Sequence, residues 1–181
     1  MYEFYVGTTP KDPPGNIVKV CLDSDGQLVD KSYYEAVSPA YLCRKGSCIY
    51  AVIENADFGG VQVFDVNKNG SLTAKARLDT EDVYSTYISA EKRGNRIFVA
   101  NYGTPSCAVY RYEAEKLVQE SVLREKKTEK SHIHCAALTP EEAYVCLVDV
   151  GTDEILVYAA DSLELVDTVK FPLLCIFSGW I

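Results

Sequence analysis

The sequence predicts an all-β chain, a β-propeller of four-stranded antiparallel blades that stops just under four blades. Three observations carry this. A β-rich phrase recurs four times, as FYVGT from Phe4, IYAVIEN from Ile49, IFVANYG from Ile97 and VCLVDVG from Val145. Its second residues, Tyr5, Tyr50, Phe98 and Cys146, stand 45, 48 and 48 residues apart. Repeats of ~40–50 residues built from short strands are the signature of propeller blades. No stretch sustains the i, i+3, i+4 apolar spacing that a helical solenoid requires.

The elements follow in order within each repeat. The phrase itself is one strand, rich in Tyr, Phe, Val and Ile. A second strand follows each copy: NIVKVCLD at 16–23, GVQVFDVN at 60–67, CAVYRYE at 107–113 and EILVYAAD at 154–161. A third begins at a turn and a leucine, at Leu28, Leu72, Leu117 and Leu165. One more strand precedes each of the last three phrases: AYLC at 40–43, YSTYIS at 84–89 and HIHCAAL at 132–138. Tight turns such as DSDG, NKNG and RKGS join them. Residues 1–35 thus supply three strands of a first blade, and residues 38–80, 82–125 and 131–170 supply three further blades. Residues 171–181, FPLLCIFSGWI, carry no charge where a polar turn and another inner strand should follow. That interruption at a repeat boundary reads as a truncation, and the open blade edges it leaves are expected to favour self-association.

Composition narrows the function classes. The net charge of −8 argues against nucleic acid or an anionic membrane surface as partner. No run of about 18 apolar residues is present to span a bilayer. Seven cysteines, an odd number without any CxxC, mostly lie inside apolar runs, which points to reduced thiols and a cytoplasmic location. The sequence calls for no cofactor and no metal.

Two clusters could carry chemistry. Ser131-His132-Ile133-His134 holds the only two histidines. On a regular strand the i, i+2 spacing puts both rings on one face, ~6.5–7 Å apart. Imidazole near its ordinary pKa accepts a proton from water at neutral pH. The alternatives are a pair of hydrogen-bonded fillers in an inner strand, or a metal pair completed by Asp149 and Asp153, for which no tight ligand spacing speaks. The second cluster is Asp149-Val150-Gly151-Thr152-Asp153, read either as a site loop or as a β-turn using Asp and Gly for local hydrogen bonds and positive φ. The repeat suggests that Glu54, Asn101 and Asp149 project alike around one axis as a polar ring. Lys126-Lys127 reads as a solvated loop, and no GxSxG context supports Ser106 or Ser131 as a nucleophile.

At these residues the chain resembles the lactonase family of seven-bladed propellers. The matching pieces are YVGT at 5–8, YAVIEN at 50–55, VANYG at 99–103, HIH at 132–134 and the run from Val148 to Tyr158. The resemblance covers about residues 1–170, the first half of such a propeller, so just under four of seven blades. It implies hydrolysis of a sugar lactone, 6-phosphogluconolactone or a relative, to the open acid in carbohydrate metabolism. It also implies His132 or His134 as base or electrophilic partner, Asp149 and Asp153 as orienting or hydroxyl-binding groups, and Asn101 at the mouth. Fungal carboxy-muconate cyclases share the propeller, so a lactonising cycloisomerase stays open, as does a non-catalytic binding or scaffold module. The chain departs from the family pattern at Ser131 and at Thr104-Pro105-Ser106. It departs again near residue 172, where the family's arginine-bearing segment should begin. The basic residues expected to hold an anionic group are missing there, so an inactive fragment is among the outcomes.

Overall fold

The computed structural model describes residues 1–9, 15–124 and 128–171. The expectations placed on Lys126, Lys127 and the stretch 172–181 lie outside these residues. Fifteen strands and no helix occupy the described chain, in four antiparallel sheets. The first holds β1 (Tyr2–Gly7), β2 (Gly15–Leu22) and β3 (Leu28–Ala36). The second holds β4 (Leu42–Lys45), β5 (Cys48–Val52), β6 (Gly59–Val66) and β7 (Leu72–Thr80). The third holds β8 (Ser85–Ala90), β9 (Arg96–Asn101), β10 (Ser106–Glu113) and β11 (Lys116–Leu123). The fourth holds β12 (Ile133–Leu138), β13 (Tyr144–Asp149), β14 (Glu154–Ala159) and β15 (Leu165–Lys170). Within each sheet sequence neighbours pair, as a meander requires.

Turn chemistry fixes the hairpins. Asp23 Oδ1 accepts from the main-chain N–H of Asp25 and Gln27, and Gly26 supplies φ 79°. The NKNG turn repeats the device, with Asn69 Oδ1 accepting from Ser71 N and Gly70 at φ 75°. A side-chain oxygen thus satisfies the turn, and glycine takes the left-handed position without steric cost.

The core lies between sheets. Ile17 and Ala36 of the first sheet meet Ile49, Ala51 and Phe64 of the second. Tyr50, Val52, Val61 and Val63 of the second meet Ile88, Ile97, Val99 and Tyr110 of the third. Phe98, Ala100, Cys107 and Val109 of the third meet Ala136, Val145, Leu147, Leu156 and Tyr158 of the fourth. Sheet faces packed through interdigitated apolar side chains are the physical meaning of a blade stack. Neighbouring sheets also meet along their first strands. β8 lies between β4 and β12, and Thr86 and Ser89 hydroxyls donate to the His134 and Ala136 carbonyls.

The two terminal sheets differ. Tyr2, Phe4 and Val6 on β1 are exposed, as are Leu165, Val166 and Val169 on β15. Alternate residues in the interior sheets are covered by a neighbour, and burial of apolar area drives association. The chain alone is therefore expected to self-associate. Sedimentation velocity should show species heavier than 20.1 kDa, and a single monomeric boundary would contradict this.

Candidate functional site at the mouth of the inner strands

Equivalent positions of three sheets build the mouth. The main-chain N–H groups of Glu54, Tyr102 and Val150 donate to the carbonyls of Ser38, Tyr84 and His132, at 3.0, 2.9 and 3.0 Å. One latch therefore closes three times with different side chains. This sets the true register of the repeat: Glu54 corresponds to Tyr102 and Val150, whereas Asn101 and Asp149 correspond to Ile53. The expected ring of Glu54, Asn101 and Asp149 mixes two positions one residue apart. Along extended chain, one residue turns a side chain to the opposite face.

The burial follows that register. Asn101 is fully buried; its Oδ1 accepts from Ser85 Oγ at 2.7 Å and its Nδ2 donates to Ser106 Oγ at 3.0 Å. It braces the third sheet and does not line the mouth. Asp149 is 1% exposed. Its Oδ1 accepts from the main-chain N–H groups of His132, Gly151 and Thr152 at 2.8, 2.9 and 3.2 Å. Asp149 thus ties its own loop to the histidine segment, whereas its Oδ2 has no partner among the described residues. Asp153 is exposed and takes φ 56°, with its carbonyl accepting from Phe171 N. The left-handed residue of this loop is therefore Asp153, not Gly151.

Gly151 is required for space. A Cβ there would stand 1.4 Å from the Lys130 carbonyl oxygen and 3.3 Å from His132 Cδ2. Gly151→Ala must push the Lys130–His132 segment away. Overpacking of this kind costs about 1–3 kcal/mol, and thermal melts should register the loss.

The two histidines converge, but not by simple strand alternation. His132 precedes β12, and the β12–β13 register shifts between Ile133 and Cys135, leaving His134 without a partner across the ladder. What gathers the rings is Tyr102, which sequence reasoning passed over. His132 stacks on it with centroids 4.2 Å apart and planes 5° from parallel. His134 meets the same ring edge-on at 6.0 Å and 89°. His132 Nδ1 lies 3.0 Å from the Tyr102 carbonyl oxygen. The available signal was the phrase position, where Tyr102 stands against Glu54 and Val150.

Glu54 approaches from the second sheet and is half-buried. Burial holds its carboxyl above the usual carboxylate range, and the charge of nearby His134 partly opposes this. A raised carboxyl favours the folded state when protonated. That contribution is complete below the unfolded value of about 4.3 and is lost as pH rises through the folded value. Glu54→Gln is therefore expected to raise the melting temperature at neutral pH and to leave it unchanged in strong acid. The gain should stay under about 1 kcal/mol at this solvent-screened position.

Cys135 beside His134 has its thiol pushed up to about 11 by burial, so it is protonated at neutral pH and no nucleophile. Among the described residues no three His, Cys, Asp or Glu side chains gather as a metal-ligand set. The far end of the inner strands holds a separate cavity of about 500 Å³, lined by Tyr41, Cys43, Tyr87, Leu138 and Glu142 among others.

Comparison with known proteins agrees with this architecture. The 6-phosphogluconolactonase of Bacillus subtilis is 29% identical over 170 residues, a match covering 87% of this chain and 49% of that protein. An uncharacterized protein of Staphylococcus saprophyticus is 28% identical over 182 residues, covering 92% of this chain and 53% of its own. The chain spans about half the length of the curated relatives it matches. A Lactobacillus plantarum protein superposes with a TM-score of 0.78 at 22% identity, over 92% of this chain and 52% of that one. The periplasmic gluconolactonase PpgL of Pseudomonas aeruginosa superposes with a TM-score of 0.75 at 22% identity, over 87% and 50%. Those two likenesses speak for the fold. The family model described as lactonase, 7-bladed beta-propeller, matches residues 3–172, and the chain belongs to that family, here as an incomplete propeller.

Proposed function

We propose that the mouth formed by Glu54, Tyr102, His132 and His134 hydrolyses a sugar lactone, with 6-phosphogluconolactone as the leading substrate. The observation that carries the reading is the contact between His132 Nδ1 and the Tyr102 carbonyl. A carbonyl oxygen only accepts, so Nδ1 carries the proton and the other nitrogen, Nε2, is left as a base in the neutral ring.

The chemistry follows. His132 Nε2 takes a proton from water as the oxygen attacks the lactone carbonyl carbon. The carbonyl electron pair moves onto oxygen, giving a tetrahedral oxyanion, and His134 is assigned as the donor to it. The intermediate collapses, the ring C–O bond breaks, and the imidazolium returns its proton to the departing alkoxide. One water is consumed and one hydroxy acid is formed. Glu54 and Asp153 are assigned to sugar hydroxyls. Asn101 and Asp149 act as supports, since both side chains are buried and the Asn101 amide and Asp149 Oδ1 are committed to protein groups. The phosphate is assigned to none of these residues. The support for the substrate is the kinship with the Bacillus subtilis enzyme.

Titrating the product, 6-phosphogluconate, into the protein while recording histidine and tyrosine ring NMR signals tests the location. Shifts of the His132 and His134 rings are expected. Changes confined to the cavity of Tyr41 and Tyr87 would overturn the assignment.

A further inference from the structure

We infer that Tyr102 is a positioning residue that sets the tautomer and plane of His132; its catalytic consequence rests on the lactonase reading above. An imidazole on a loop has a broad, two-fold torsional preference about its last bond. Two contacts from one residue remove that freedom here. The Tyr102 carbonyl accepts a hydrogen bond from Nδ1–H, and the Tyr102 ring lies nearly parallel to the imidazole. His134 meets the edge of the same ring, so one aromatic group references both histidines.

The platform is itself fixed. Tyr102 N donates to the Tyr84 carbonyl and Gly103 N to the Val83 carbonyl, at 2.9 and 3.1 Å. Thr104 Oγ1 accepts from Val83 N and donates to Asp82, which is only 5% exposed. A Cβ on Gly103 would come within 2.6 Å of Val83 and 2.9 Å of Tyr84, so the loop is packed down on those residues.

The repeat supplies an internal control. Glu54 and Val150 close the same latch without an aromatic ring. The fold does not need a tyrosine at this position, whereas the histidine beside it does. The Tyr102 hydroxyl makes no hydrogen bond among the described residues, so the ring face carries the role. Phenylalanine should therefore replace it.

The test uses two readouts on the whole chain. Long-range ¹H–¹⁵N spectra at about pH 8, where an ordinary imidazole is neutral, should show His132 protonated at Nδ1 in the parent and in Tyr102→Phe. Tyr102→Ala keeps the main-chain carbonyl but removes the stacked ring that holds the imidazole plane against it, so Nδ1 no longer stays at the carbonyl and a mixture of tautomers should appear. In lactone turnover, Tyr102→Ala should lower kcat about tenfold with little change in KM, as expected for a misaligned base, and Tyr102→Phe should restore it. If Tyr102→Ala does not fold, Tyr102→Leu keeps the bulk without the π face and should give the same pattern. An Nε2-protonated His132 in the parent, or an unchanged tautomer in the alanine and leucine variants, would overturn the inference. The expected spectra without any turnover would leave the positioning role standing and remove the lactonase reading.

Discussion

On the proposed lactonase reading, His132→Gln is expected to lower lactone turnover by about 10²–10⁴-fold, the range a positioned general base contributes, with KM nearly unchanged. The side chain stands partly exposed at the mouth, and its main-chain N–H reaches Asp149 whatever the side chain. Melting should therefore move little, which separates chemistry from folding. His134→Gln should cost less, because His134 is assigned to stabilise charge and the glutamine amide can still donate a hydrogen bond there. If both single variants and the double variant kept the parent rate, the site would lie elsewhere.

Phe98→Ala should have the largest effect on stability, about 3–5 kcal/mol. The ring is wholly buried between the third and fourth sheets, against Val145, Leu147, Leu156 and Tyr158. Deleting it removes apolar burial and leaves a cavity that two packed sheets cannot collapse to fill. Denaturant titration measures this directly. Val118→Thr on exposed β11 is the comparison, and should stay within about 0.5 kcal/mol. Equal losses in the two variants would contradict the placement of the core between sheets.

The strands were legible because their causes are local. Tyr, Val and Ile in short runs favour the pleat, and Asp-Gly and Asn-Gly turns end them; β3, β7 and β15 begin at Leu28, Leu72 and Leu165, where the turn leucines stand. The histidine segment stood out because two rings appear in one repeat only. The rest depends on contacts across the fold. Asn101 and Asp149 look like mouth residues in sequence, but a one-residue difference from Glu54 turns them into the interior. Tyr102 lies 30 residues from His132, and no local pattern announces that the two rings stack. The shifted register at His134 is likewise a property of the ladder with β13 and not of the HIH motif.

The measurement that tests the lactonase reading most directly is base uptake in a pH-stat during 6-phosphogluconolactone hydrolysis. The purified protein is compared with the spontaneous reaction and with the His132→Gln, His134→Gln double variant. The account predicts a rate above the spontaneous one that the double variant loses. A rate no faster than spontaneous hydrolysis, or a double variant as fast as the parent, would contradict it.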